Sequence, residues 1–129
     1  MKLTGVLKNL LLEATSIEDI GRSIDQKQVV VIYYDGDEPG GKGVRTIEPV
    51  CFFRHKDSGN WVLSAWDREG ASHKVAVGDG FLPFWRLFRL DKIRTFNPTR
   101  ENFDTRRPGF NPNGDKRAMP GTIKYLAKF

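Results

Sequence analysis

Cys51, His55 and His73 are the side chains of this 129-residue sequence best suited to metal binding or nucleophilic attack. On one strand, positions 51 and 55 share a face but lie about 13 Å apart at roughly 3.3 Å per residue, too far to hold one ion together. A structural zinc site needs four ligands, usually in tight pairs. These residues therefore read as a core cysteine and two surface histidines, and neither a metal nor a cofactor is expected. The GGKG at 40–43 lacks the G-x-x-x-x-G-K-S/T spacing of a phosphate loop, and no helix follows it to supply backbone donors. There is no G-x-S-x-G and no histidine placed for an obvious triad. The acidic pairs Asp35/Asp37 and Glu18/Asp19 fall in a turn and a first helical turn, where carboxylates are ordinary. Nothing here demands an enzyme, and a non-catalytic protein is expected.

The cations say more. The formal net charge is +5, yet residues 1–49 hold 6 Lys/Arg against 8 Asp/Glu, whereas residues 86–129 hold 11 against 4. A basic C-terminal third attracts polyanions, nucleic acid first among them, or else serves as a solvated surface. Along FWRLFRL (84–90), Trp85, Leu87 and Arg89 point one way and Arg86, Phe88 and Leu90 the other. Arginine thus emerges from both partly apolar faces, and a buried unpaired charge is very costly. For Arg89 the partner is either an internal carboxylate, such as Glu48 or Asp91, or an external anion. Guanidinium forks match phosphate, and tyrosine or tryptophan rings offer stacking platforms for bases. Of the adjacent Tyr33 and Tyr34, alternation turns one inward, and the sequence does not say which.

These side chains need a frame. Leu3, Val6, Leu7, Leu10 and Leu11 fall on one helical face. Lys8 and Asn9 interrupt the apolar run and no small-residue cleavage site follows, so this segment reads as a helix and not as a signal peptide. Thr15–Glu18 has the form of a capping box for a second helix, on which Ile17, Ile20 and Ile24 share a face. Strands are predicted at 29–34 (VVVIYY), 44–55 with a break at Pro49, 61–66, 71–77 and 84–96, with turn formers between them. That order implies a mainly β domain, a small sandwich or barrel of five strands over 28–96 preceded by one or two short helices in 1–27. Residues 97–129 carry four prolines and three glycines before TIKYLAKF and show no periodicity. They read as an extended basic tail that supplies attraction more than fold, with Arg100, Arg106, Arg107, Lys116 and Arg117 as counter-charges to phosphate. No run approaches the roughly 18 apolar residues of a membrane helix. A single cysteine excludes an internal disulfide and suits the cytoplasm.

Four pieces occur in a specific order: a strand ending in Tyr33-Tyr34, R-T-I-E-P (45–49), W-V-L continuing into S-A-W-D (61–67), and F-R-L-D-K-I (88–93). Over roughly residues 17–96 they resemble the WYL family of bacterial and phage proteins. Val62 stands where the family has its eponymous tyrosine, and Lys92 where arginine is frequent. The resemblance implies an Sm-like (Src-homology-3-like) barrel that senses a ligand, with single-stranded DNA or RNA or a nucleotide as favoured candidates. Such domains typically follow a DNA-binding helix-turn-helix in transcription regulators. The 27 residues before the first strand are too few for one, so the reader domain is expected to be missing or supplied by a partner. Small stand-alone versions of this kind resemble phage products, which would act in a bacterial or phage-infected cell.

The candidate binding residues are Tyr33, Tyr34, Arg45, Arg89 and Lys92, with Arg86, Arg94, Arg106 and Arg107 as auxiliary phosphate contacts. The alternative is a protein-interaction module, for example a phage factor docking on a host or regulatory protein without nucleic acid. A second copy of the chain is a further expected partner.

Overall fold

The computed structural model describes residues 17–36, 42–68 and 84–129. The expected first helix with its Leu3–Leu11 face, and the expected strand at 71–77, lie outside the described residues. Residues 17–25 are helical. Ile20 and Ile24, one turn apart, are fully buried, while Ile17 is partly so. The helix ends through Lys27, whose φ of 52° is left-handed, and the N–H groups of Gln26 and Lys27 close the last turn on the carbonyls of Arg22 and Ile24.

The β-branched, aromatic run after that turn forms β1 (Gln28–Asp35), which lies between β2 (Lys42–Arg54) and β5 (Ile93–Asn102). β2 is long enough to serve two neighbours. Its first half pairs with β1 and its second half with β3 (Trp61–Asp67). Pro49 does not end the strand. Pro49 opposes Ala65 and Cys51 opposes Ser64, so Val50 is an extra residue that bends the ladder. β4 (Trp85–Arg89) adds to β3, and every pairing is antiparallel.

The expected closed five-stranded barrel is not formed. Among the described residues the sheet is an open path, β4-β3-β2-β1-β5, with no ladder between its two ends. The segment 84–96, expected as one strand, is two strands at opposite edges, joined by the 3-10 turn Leu90–Lys92. Arg89 and Ile93 on either side of that turn are both extended (φ −70°, ψ 133° and φ −82°, ψ 111°). The turn therefore carries the chain from one edge across to the other, where a hairpin turn would have folded β5 back on β4.

The C-terminal segment is part of the fold, where the sequence reads as an extended tail that supplies attraction more than fold. Phe103, Phe110 and Ala127 are buried in the same core as Ile32, Ile47, Phe52 and Phe88. β6 (Tyr125–Leu126) pairs with β2 at Cys51 and Phe52. The N–H groups of Ala127, Lys124 and Met119 donate to the carbonyls of Val50, Phe52 and Arg54, and Lys56 N–H donates to Arg117 O. These bonds use the edge of β2 that β1 leaves bare beyond Ile47. Across β2, β3 and β4, Phe52, Leu63 and Phe88 stand in register on one face, and Cys51, Ser64 and Leu87 on the other. Directly opposed residues share a face, so this half of the sheet has two faces to cover. The core takes the first and the C-terminal segment crosses the second.

Candidate ligand interface

Tyr34 is the tyrosine that faces inward. It is 5% exposed against 40% for Tyr33, and its ring meets the edge of Phe88 at 4.9 Å. Its hydroxyl accepts the backbone N–H of Arg89 at 3.0 Å. This bond ties the end of β1 to the end of β4, where the two sheet edges come near each other without a ladder. Tyr34 is also the register partner of Gly43 and Ile93, and Ile32 that of Arg45. Arg45 therefore lies on the same face as Tyr34, two positions along, with Lys92 and Arg89 in and beside the adjoining 3-10 turn. Tyr34, Arg45, Arg89 and Lys92 are thus brought to one end of the sheet. Tyr33 is on the opposite face, in register with the exposed Val44 and with Thr95.

The arginines at this end are held by carboxylates. Arg89 forks onto Asp91, with Nε and a terminal nitrogen donating at 3.0 and 2.7 Å. Asp91 is one of the two internal partners expected for it. Arg89 and Asp91 are both exposed (41% and 60% of the side chain), and ion pairs of that kind contribute little. Arg94 is the extra residue opposite the Tyr33–Tyr34 step of β1, a bulge that aims it at Asp35. Its hydrogen bond holds the Asp35 carboxyl below the usual range, against some desolvation and with help from Lys42. Arg45 lies 3.8 Å from the fully buried Asp67.

Of the remaining auxiliary arginines, Arg106 and Arg107 are engaged in the C-terminal segment and at Glu48, whereas Arg86 reaches the ring on which Tyr34 packs. Arg86 is buried beside the ring of Phe88. Arg106 lies over Phe110. Arg107 donates through Nε and a terminal nitrogen to both oxygens of Glu48 at 2.9 and 2.7 Å, and its guanidinium covers the ring of Trp66. Glu48 is fully buried and also accepts from Arg68, which in turn reaches Glu101. That hydrogen bond lowers the Glu101 carboxyl, and the same bonds raise both guanidinium groups. Sequence reasoning named Glu48 only as a partner for Arg89 and did not single out Arg68 or Glu101. The available signal was one carboxylate inside the apolar run IEPVCFF, which has to be answered by cations when buried.

Cys51 is buried on the face under the C-terminal segment, and burial pushes its thiol up to about 11. A thiol in that state is a poor nucleophile at neutral pH. His55 Nδ1 accepts the N–H of Asp57 inside the β2–β3 turn. Among the described residues no helix is long and apolar enough to cross a membrane.

The family model of the WYL domain matches residues 15–98, well over half of the chain. The chain belongs to the WYL domain family. It is accordingly a non-enzymatic module, of a family linked to the regulation of transcription. Proteasome accessory factor B/C (PafBC) of Arthrobacter aurescens has a similar fold, with a TM-score of 0.53 and 24% identity over 75% of this chain. The likeness covers 13% of that chain and shows a shared architecture. No curated protein matches the sequence.

Proposed function

We propose that this chain is a regulatory module, acting in the cytoplasm, that binds single-stranded nucleic acid or a nucleotide-like ligand at the end of the sheet formed by Tyr34, Arg45, Arg89 and Lys92. The observation that carries the reading is the Tyr34–Arg89 hydrogen bond, which fixes two motif-derived residues from distant parts of the sequence beside two more cations. The forked Arg89–Asp91 pair is exposed on both sides. A phosphate can displace such a carboxylate at small net cost, because the pair itself contributes little and the fork suits phosphate equally well. Tyr33, exposed on the other face of the same strand, offers a ring to a base passing over that face.

The test is fluorescence anisotropy with short single-stranded DNA and RNA over a series of salt concentrations. Salt-sensitive binding is expected, and Arg89→Ala and Arg45→Ala should each weaken it by about 1–3 kcal/mol, the range for lost charged contacts. Lys92→Ala should do less, because an ammonium acts as a point charge and not as a fork. If both arginine variants melt and bind like the parent, the interface lies elsewhere. Absence of any binding, together with a specific protein partner, would favour the docking module.

A further inference from the structure

The C-terminal segment does more than cover the second face of β2–β4; it leaves a cleft of about 390 Å³ between itself and that face. The floor is Val50, Cys51 and Ser64, the last two directly opposed across the strands. The walls are the rings of Trp85 and Phe110, and the far side is the arc 109–117. That arc lies outside residues 15–98, the part matched by the family. The cleft shares none of the residues of the Tyr34–Arg89 end.

The hydrogen bonds around the cleft show which of its groups are already engaged. The indole N–H of Trp85 donates to Pro108 O at 2.6 Å, so this ring offers the ligand its apolar surface. Asn111 Oδ1 accepts from Asn113 N–H, which leaves the side-chain NH2 as its polar contribution. Both oxygens of Asp115 accept from the Arg117 fork at 2.9 and 2.7 Å. With that pair neutralised, the charge left in the lining is that of Lys116, at the exposed rim. The Ser64 hydroxyl completes the set, the Cys51 thiol being met by the Asp115 backbone. Apart from the ring surfaces, these groups are mainly donors and one is cationic. A volume at the lower end of ligand-pocket sizes suits one or two fused rings.

We infer that the cleft between the outer face of β2–β4 and residues 109–117 is a binding site for a small aromatic carboxylate. The ring slots between Trp85 and Phe110, and the carboxylate accepts from Asn111 and Lys116. The inference is independent of the nucleic-acid reading, since neither uses the other's residues.

The experiment is an NMR titration of the full chain with 2-naphthoate, and in parallel with its neutral analogue 2-naphthamide. Saturable shifts are expected at the Trp85 indole N–H, the Asn111 side-chain amide and the Ser64 backbone amide. Lys116→Gln should weaken 2-naphthoate about three- to fivefold, the range for one exposed charge pair, and leave 2-naphthamide unchanged. Ser64→Leu, which fills the floor, should remove binding of both. Lys116 is exposed, so its substitution keeps the test decisive even if Ser64→Leu fails to fold. Shifts that map away from these residues, no saturation with either compound, or equal binding of 2-naphthoate to parent and Lys116→Gln would each overturn the inference.

Discussion

The Tyr34 hydroxyl accepts the backbone N–H of Arg89 at 3.0 Å, across 55 residues of sequence. It stands at the gap in the sheet, where β4 and β5 lack a ladder. Because the donor is backbone, the bond survives substitution of the arginine side chain. Tyr34→Phe and Arg89→Ala therefore separate two contributions. Tyr34→Phe keeps the ring on Phe88 but leaves a partly buried N–H without its acceptor, and should cost about 1–2 kcal/mol in denaturant melts. Arg89→Ala removes an exposed pair and should cost less than about 1 kcal/mol.

Glu48 is the buried carboxylate on which Arg107 and Arg68 converge. Glu48→Ala takes both carboxylate bonds from Arg107 and leaves Arg68 with Glu101 alone; because both guanidinium groups are about a third exposed, it should destabilise by about 1–3 kcal/mol. A cycle combining Glu48→Gln with Arg107→Ala should show clear non-additivity, because both variants cut the same bonds. Additive losses would mean that the pair does not act as a unit.

Deleting 103–129 should abolish cooperative unfolding or lower the melting temperature steeply, since it removes Phe103, Phe110, Ala127 and β6 together. Phe110→Ala alone should cost about 3–5 kcal/mol, the range for truncating a buried phenylalanine. A truncated chain that melts like the parent would show that the segment only rests on the sheet.

Gly21 lies against Tyr125: a Cβ there would fall 2.3 Å from the ring. Gly21→Ala gains helix propensity but forces the ring away from the helix, and with it the strand β6 that carries it. A net destabilisation is expected, and Tyr125→Ala in the same chain should relieve it. A stabilised Gly21→Ala would mean that the ring moves without cost.

Asp115 gives a pH signature. Burial raises its carboxyl, but the Arg117 side chain and backbone together outweigh that and hold it below its ordinary 3.8. A carboxyl depressed on folding contributes stability above its unfolded value, and loses it as pH falls through the lower folded value. Asp115→Asn should therefore destabilise at neutral pH and flatten the acid limb of a stability–pH profile below about pH 4. An unchanged acid limb would remove Asp115 from the account.

The strands at 29–34, 44–55 and 61–66 were legible because a strand's signal is local. β-branched and aromatic residues between turn formers suffice to place β1, β2 and β3 within a residue or two. The alternation along 84–90 was legible for the same reason: Arg86 and Phe88 are buried, and Trp85, Leu87 and Arg89 are half-exposed. The family, too, was written in short motifs of fixed order. The sequence by itself thus determined the strands at 29–34, 44–55 and 61–66, the alternation along 84–90 and the membership.

Tertiary structure decided where those faces go. Period-two alternation cannot say which of Tyr33 and Tyr34 turns inward; the register with β2 and β5 does. Nor could it show that 84–96 divides between two edges, since FRLDKI is compatible with one strand or two until β3 and β1 claim its halves. Glu48 finds Arg107 59 residues away, and the C-terminal segment finds the bare edge of β2 without any periodicity of its own. An ion pair or an irregular segment leaves no repeating pattern along the chain. Its partner is chosen by burial and by unsatisfied backbone groups, and these exist only once the sheet has formed.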